Sequence, residues 1–62
     1  MESLINNLVN GNNETAKEQA KQFSRWEIRE ALVEFGWSDK KATACVDWLG
    51  GRDWWQAYCD AN

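Results

Sequence analysis

SRWEIREALVEFGWSDKKATACVDWLGG, residues 24–51, carries two helix starts and two helix stops in 28 positions. Ser24 with Glu27 three residues on is a capping box: the Ser hydroxyl takes an orphan N–H of the first turn, and the Glu carboxylate returns to the backbone of the cap. Gly36 closes that helix, because glycine enters the left-handed conformation that ends helices at little cost. Ser38 caps the next helix, with Asp39 placed favourably in its positive first turn. Ala42, Cys45, Val46 and Leu49 then follow an i, i+3, i+4, i+7 stripe until Gly50-Gly51 stops it. On the first helix Ile28, Ala31, Leu32 and Phe35 fall on one side, and Trp26 and Val33, with Phe23 just before the cap, on the other. A helix that is apolar on two sides is sandwiched between neighbours. The segment Ser24 to Phe35 is therefore expected at the centre, with an N-terminal helix pair against one side and a C-terminal pair against the other.

Working outward toward the N-terminus, Leu4, Ile5, Leu8 and Val9 form one helical stripe over Glu2 to Val9. Asn10-Gly11-Asn12-Asn13 breaks it, and Asn13 is placed to cap a second helix opening with Glu14. Ala16, Ala20 and Phe23 are its expected buried face. Whether this helix stops before Ser24 or runs through to Phe35 stays open in the sequence. Toward the C-terminus, Asp53 and Gln56 make another capping box, followed by a short helix over Trp54, Trp55, Tyr58 and Cys59 to about Asp60. No alternating β-branched run signals a strand. The expected fold class is all-α: a small helical bundle, one domain over residues 1–62, with 1–23 an N-terminal helical hairpin and 24–62 a three-helix core.

A chain of 62 residues holds one domain, and at this size folding buries only about 60% of the unfolded surface, so stability is marginal. The apolar fraction of 44% and charged fraction of 27% are those of a folded chain. No apolar run exceeds three residues, which excludes a membrane-spanning helix and a secretory signal and points to the cytoplasm. Ten acidic residues against seven basic give a net charge of −3, opposite to the basic face of nucleic-acid binders. Lys17, Lys21 and Arg25 recur every four residues, and a solvated helix face paired with neighbouring Glu explains them.

There is no His. Cys45 and Cys59 therefore cannot close a metal site within the chain, and neither has the base a catalytic thiol requires. Both are expected reduced and buried as small hydrophobes, an interhelical disulfide being the minor alternative. Glu27, Glu30 and Glu34 form a row of carboxylates without partner ligands, as on a hydrated face. Gly50-Gly51 lacks the frame of a phosphate loop. No catalytic, cofactor-binding or metal-ligating residue is assigned, and the chain is expected not to be an enzyme.

Five tryptophans stand out in so short a chain: Trp26, Trp37, Trp48, Trp54 and Trp55. Aromatics bury the most area each and can staple a small core, but so little volume cannot hold all five. Two or three are expected in the core and at least one on a partner surface, where Trp is a frequent anchor. Trp54 and Trp55 lie about 100° apart on a helix, so one of the two is expected to face out.

The order of capped helix, Phe35-Gly36-Trp37 turn, Ser38-capped helix with Ala42 and Val46, Gly-Gly turn and short third helix with Ala57 resembles the ubiquitin-associated (UBA) family over residues 24–62. In that family the first turn is Met-Gly-Phe or Met-Gly-Tyr; here Phe35 and Trp37 stand in those places. The third helix departs from the aliphatic pattern of the family, carrying Trp54, Trp55, Tyr58 and Cys59. The resemblance implies a three-helix domain that binds a partner protein, ubiquitin-like or other, through the first turn and the last helix, which carries over to Phe35, Gly36, Trp37 and Tyr58. Separately, Leu-Ile-x-x-Leu-x-x-Gly-Asn followed by Glu-Thr-Ala-Lys-Glu is similar to the start of prohead core proteins of tailed phages, and also to any short helical hairpin.

These readings converge on a non-enzymatic protein-binding module whose aromatic patch is Phe35, Gly36, Trp37, Trp54, Trp55 and Tyr58. The alternatives are a structural or assembly protein using the same patch for homo-oligomer or virion contacts, and a small acidic phage-encoded inhibitor of a host protein. Nucleic acid, membrane and cofactors are not expected partners.

Overall fold

The computed structural model describes residues 1–61, and all regular structure among them is helical: α1 Glu2–Val9, α2 Asn13–Ala20, α3 Arg25–Phe35, α4 Asp39–Leu49 and α5 Trp54–Asp60. The helix from Glu14 does not run through. It ends at Ala20, and a short turn separates it from Ser24, whose hydroxyl accepts from Glu27 N–H at 3.1 Å while the Glu27 carboxylate accepts from Ser24 N–H at 3.1 Å. Ser38 Oγ takes Lys41 N–H at 3.2 Å. Asp53 Oδ2 takes Gln56 N–H at 3.2 Å, the Asp half of the box its spacing predicts. At α2 the cap is Asn12 rather than Asn13, and its side chain does not bond the helix; it turns back to Asn7 instead.

The stops share one geometry. At the end of α3, Gly36 N–H reaches Val33 C=O at 3.0 Å and Trp37 N–H reaches Leu32 C=O at 3.0 Å, with Gly36 at φ +119°. At the end of α4, Gly51 at φ +110° repeats the pattern: its N–H goes to Trp48 C=O and that of Arg52 to Asp47 C=O. These are Schellman closures, each using the last free carbonyls of the helix and turning the chain sharply. The turn at Gly36 drops Trp37 back against the core beside Leu32.

The main core joins Leu4 and Ile5 of α1, Ala16 of α2, Ile28 and Leu32 of α3, and Ala42, Cys45 and Val46 of α4. A second, smaller cluster joins Ala44 of α4 to Ala57 and Ala61, under Trp54 and Tyr58. The N-terminal hairpin is thus packed into the core, and its two helices are also tied by Asn7 Nδ2 donating to Gln19 Oε1 at 2.7 Å and Gln19 Nε2 to Ser3 Oγ at 2.9 Å.

The central helix is α4, not α3. It packs against α2, α3 and α5, whereas the second apolar side of α3 is left largely open, with Trp26 65% exposed and Val33 half-buried. The physical reason is side-chain size. Ala42 and Ala44 point in nearly opposite directions around α4, and both are fully buried. Alanines on two sides let helices approach closely on both, which the bulky side chains of α3 do not allow. Ala44 falls outside the stripe of larger residues, so periodicity alone passes over it.

No helix among the described residues is long and apolar enough to cross a membrane.

Candidate functional site

Along one edge of α4 stand Lys41, Cys45 and Trp48, at i, i+4 and i+7, a spacing that keeps them in line. The end of α1 (Leu8, Val9), Asn13, the turn after α3 (Phe35, Trp37) and the start of α5 (Trp54) close around this edge to form an open groove of about 530 Å³. That volume falls in the range of ligand-binding clefts. Phe35 is 55% exposed and Val9 53%, so two large apolar side chains stand at the groove toward solvent.

The groove gathers part of the patch expected from the sequence. Phe35 and Trp37 line it on either side of Gly36, and Trp54 lines its far end. Trp54 meets Trp48 edge to face, with ring centres 6.3 Å apart at 88°, and stacks with Tyr58 at 6.2 Å and 26°. Tyr58 therefore supports Trp54 from behind and does not line the groove. Trp55 lies outside it, 71% exposed. The Trp54–Trp55 pair divides as the 100° step requires: Trp54 is packed against both clusters and Trp55 is in solvent.

Leu8, Val9 and Trp48 are groove residues that sequence reasoning did not single out. Leu8 and Val9 carried a signal, since they continue the stripe of Leu4 and Ile5 to the end of α1. Trp48 lies off the buried stripe of α4, on the edge shared with Lys41 and Cys45.

Three lysines stand over aromatic rings. Lys41 Nζ lies 4.1 Å from the ring centre of Trp37, Lys17 Nζ 4.6 Å from Trp48, and Lys40 Nζ 4.9 Å from Tyr58. The π face attracts an ammonium, and the lysine stems cover apolar surface. The other four cations pair with carboxylates: Lys21 with Glu18, Arg29 with Asp39, Arg25 with Asp47, and Arg52 with both Asp47 and Asp60. The chain Arg25–Asp47–Arg52–Asp60 links α3, α4 and α5 on the far side of α4, since Asp47 is turned about 160° from Cys45 around the helix axis. The stripe of Lys17, Lys21 and Arg25 is thus not a free basic face: each member has its own internal partner.

Cys45 is buried at the floor of the groove, and burial pushes its thiol up from an ordinary value near 9.0 to about 11, against a smaller lowering effect of the Lys41 ammonium. The thiol is neutral at physiological pH and a poor nucleophile there. Cys59 is exposed, contrary to the expectation of burial, because it lies on the outer face of α5 while Ala57 and Ala61 take the inner one. The two cysteines are free thiols.

No protein-family model, curated protein or solved structure matches this chain.

Proposed function

We propose that the chain is a non-enzymatic protein-binding module that seats a segment of a partner protein in the groove between Phe35, Trp37, Trp48 and Trp54, on a UBA-like arrangement of α3, α4 and α5. The observation that carries this reading is the groove itself. Half-buried tryptophans held by core packing offer rigid apolar area at low entropic cost, and such anchors dominate binding energy. The burial of Cys45 and the upward push on its thiol support recognition over nucleophilic chemistry at the groove. Two free thiols suit a reducing compartment, and we place the module in the cytoplasm.

Selection of peptides from a random display library tests this reading. Selected peptides should bind the native chain and lose at least tenfold in affinity to Trp37→Ala, while Trp55→Ala binds normally. Peptides that bind both variants equally would refute it.

A second reading is an assembly role, as the resemblance of residues 1–23 to prohead core proteins implies. Trp26 and Trp55, both exposed and both outside the groove, favour it. Sedimentation equilibrium over a wide concentration range separates the two: a concentration-dependent mass abolished by Trp26→Ala or Trp55→Ala supports assembly.

A further inference from the structure

The partner segment has a definable charge. Of the seven cations of the chain, only Lys17, Lys40 and Lys41 lack a carboxylate within 4 Å among the described residues, although the chain carries ten acidic side chains. One of these three stands at the groove: Lys41 lines it and lies over Trp37, whereas Lys17 lies over the Trp48 ring and lines a separate hollow beside Val46 and Leu49. The protein's carboxylates are placed elsewhere. Asp47 and Asp60 are held by arginines on the far side of α4, and Glu27, Glu30 and Glu34 lie on the outer face of α3. No Asp or Glu lines the groove. An acidic protein has thus kept its apolar groove free of carboxylates and placed one unneutralised ammonium group, that of Lys41, on its lining.

Resting on the reading of the groove as a docking site, we propose that its occupant is a segment of a partner protein that inserts bulky apolar side chains and places an Asp or Glu side chain against Lys41. A side-chain carboxylate fits better than a chain terminus. Terminal carboxylates are gathered by sets of free backbone N–H groups, and here the N–H groups of Gly36 and Trp37 are already spent on Val33 and Leu32. The Lys41 ammonium keeps donors to spare while lying on the Trp37 ring, so an incoming carboxylate completes its coordination without breaking an existing ion pair.

The test uses two capped tetrapeptides, acetyl-Leu-Trp-Glu-Leu-amide and its Gln twin, titrated into the ¹⁵N-labelled chain while the five tryptophan indole N–H signals are followed. The Glu peptide should shift the signals of Trp37, Trp48 and Trp54 and bind about fivefold tighter than the Gln peptide, the size of one partly exposed ion pair. The preference should vanish in Lys41→Gln and in molar salt, persist in Lys41→Arg, and be untouched by Lys21→Gln. Lys41 is exposed, and its backbone N–H keeps the Ser38 cap whatever the side chain, so these variants retain the fold. Equal affinity for the two peptides at the groove signals overturns the carboxylate preference and leaves the groove standing as a docking site. Shifts at Trp26 and Trp55 alone, or no shift with either peptide at millimolar concentration, overturn both.

Discussion

At the scale of single residues, Trp54 and Trp55 separate packing from display. Trp54 touches both hydrophobic clusters and two aromatic rings, while Trp55, one step on, meets solvent. Trp54→Ala should cost about 3 kcal/mol, in line with removal of a large packed aromatic. Trp55→Ala should cost under about 0.5 kcal/mol, as surface changes do. Thermal unfolding of the two variants checks this, with a drop of roughly 10 °C or more expected for the first and almost none for the second. The cysteines should differ as sharply: Cys59 should react with a thiol reagent within the time of mixing, and Cys45 only on unfolding. Mass analysis of the singly labelled protein locates the modified residue. The 100° step between neighbours on a helix is visible in the sequence, and with it the division of the tryptophans. Which side of α5 faces in is not, because the burying partners of that helix are alanines, and Ala57 and Ala61 give too weak a hydrophobic signal to orient it against Cys59.

At the scale of elements, the starts of α3, α4 and α5 were legible because a cap needs only a residue and its neighbour three positions on. Ser24, Ser38 and Asp53 make the bonds their spacing predicts. Ser24→Ala and Ser38→Ala should each cost about 1 kcal/mol. Gly36→Ala should cost about 1–2 kcal/mol from backbone conformation alone, since a Cβ there meets nothing within 4 Å. Chemical denaturation should show these losses as a lower midpoint at unchanged slope. The identity of the central helix was not legible. Hydrophobic periodicity weights large side chains and so pointed to α3, whereas close packing on two sides depends on the small residues of α4. The groove was half legible for a related reason. Its Phe35-Gly36-Trp37 turn is a local motif, but Val9 and Trp48 reach it only through the way the N-terminal hairpin is seated on α4.

For the whole molecule, the radius of gyration of 10.3 Å lies close to the roughly 10.5 Å expected of a single globule of this length. Leu4 of α1 and Leu32 of α3, 1% and 0% exposed, share one core although they come from helices far apart in the sequence. Leu32→Ala should therefore cost about 2–5 kcal/mol and lower the stability of every helix together, in one transition followed equally by far-UV circular dichroism and tryptophan fluorescence. Alkaline pH should weaken the fold through Cys45. The folded thiol titrates near 11 and the unfolded one near 9.0, so the unfolded chain loses its proton first. The stabilisation is complete below about pH 9 and is lost as pH rises toward 11, and Cys45→Ala should remove that part of the pH dependence.

The central claim is that the groove, rather than the exposed Trp26 and Trp55, receives the partner. The indole N–H signals of the five tryptophans report on it directly when a display-selected peptide is titrated into the ¹⁵N-labelled chain. The account predicts shifts at Trp37, Trp48 and Trp54 that saturate together, with Trp26 and Trp55 unmoved. Saturating shifts at Trp26 or Trp55 with the three groove signals unchanged would contradict it.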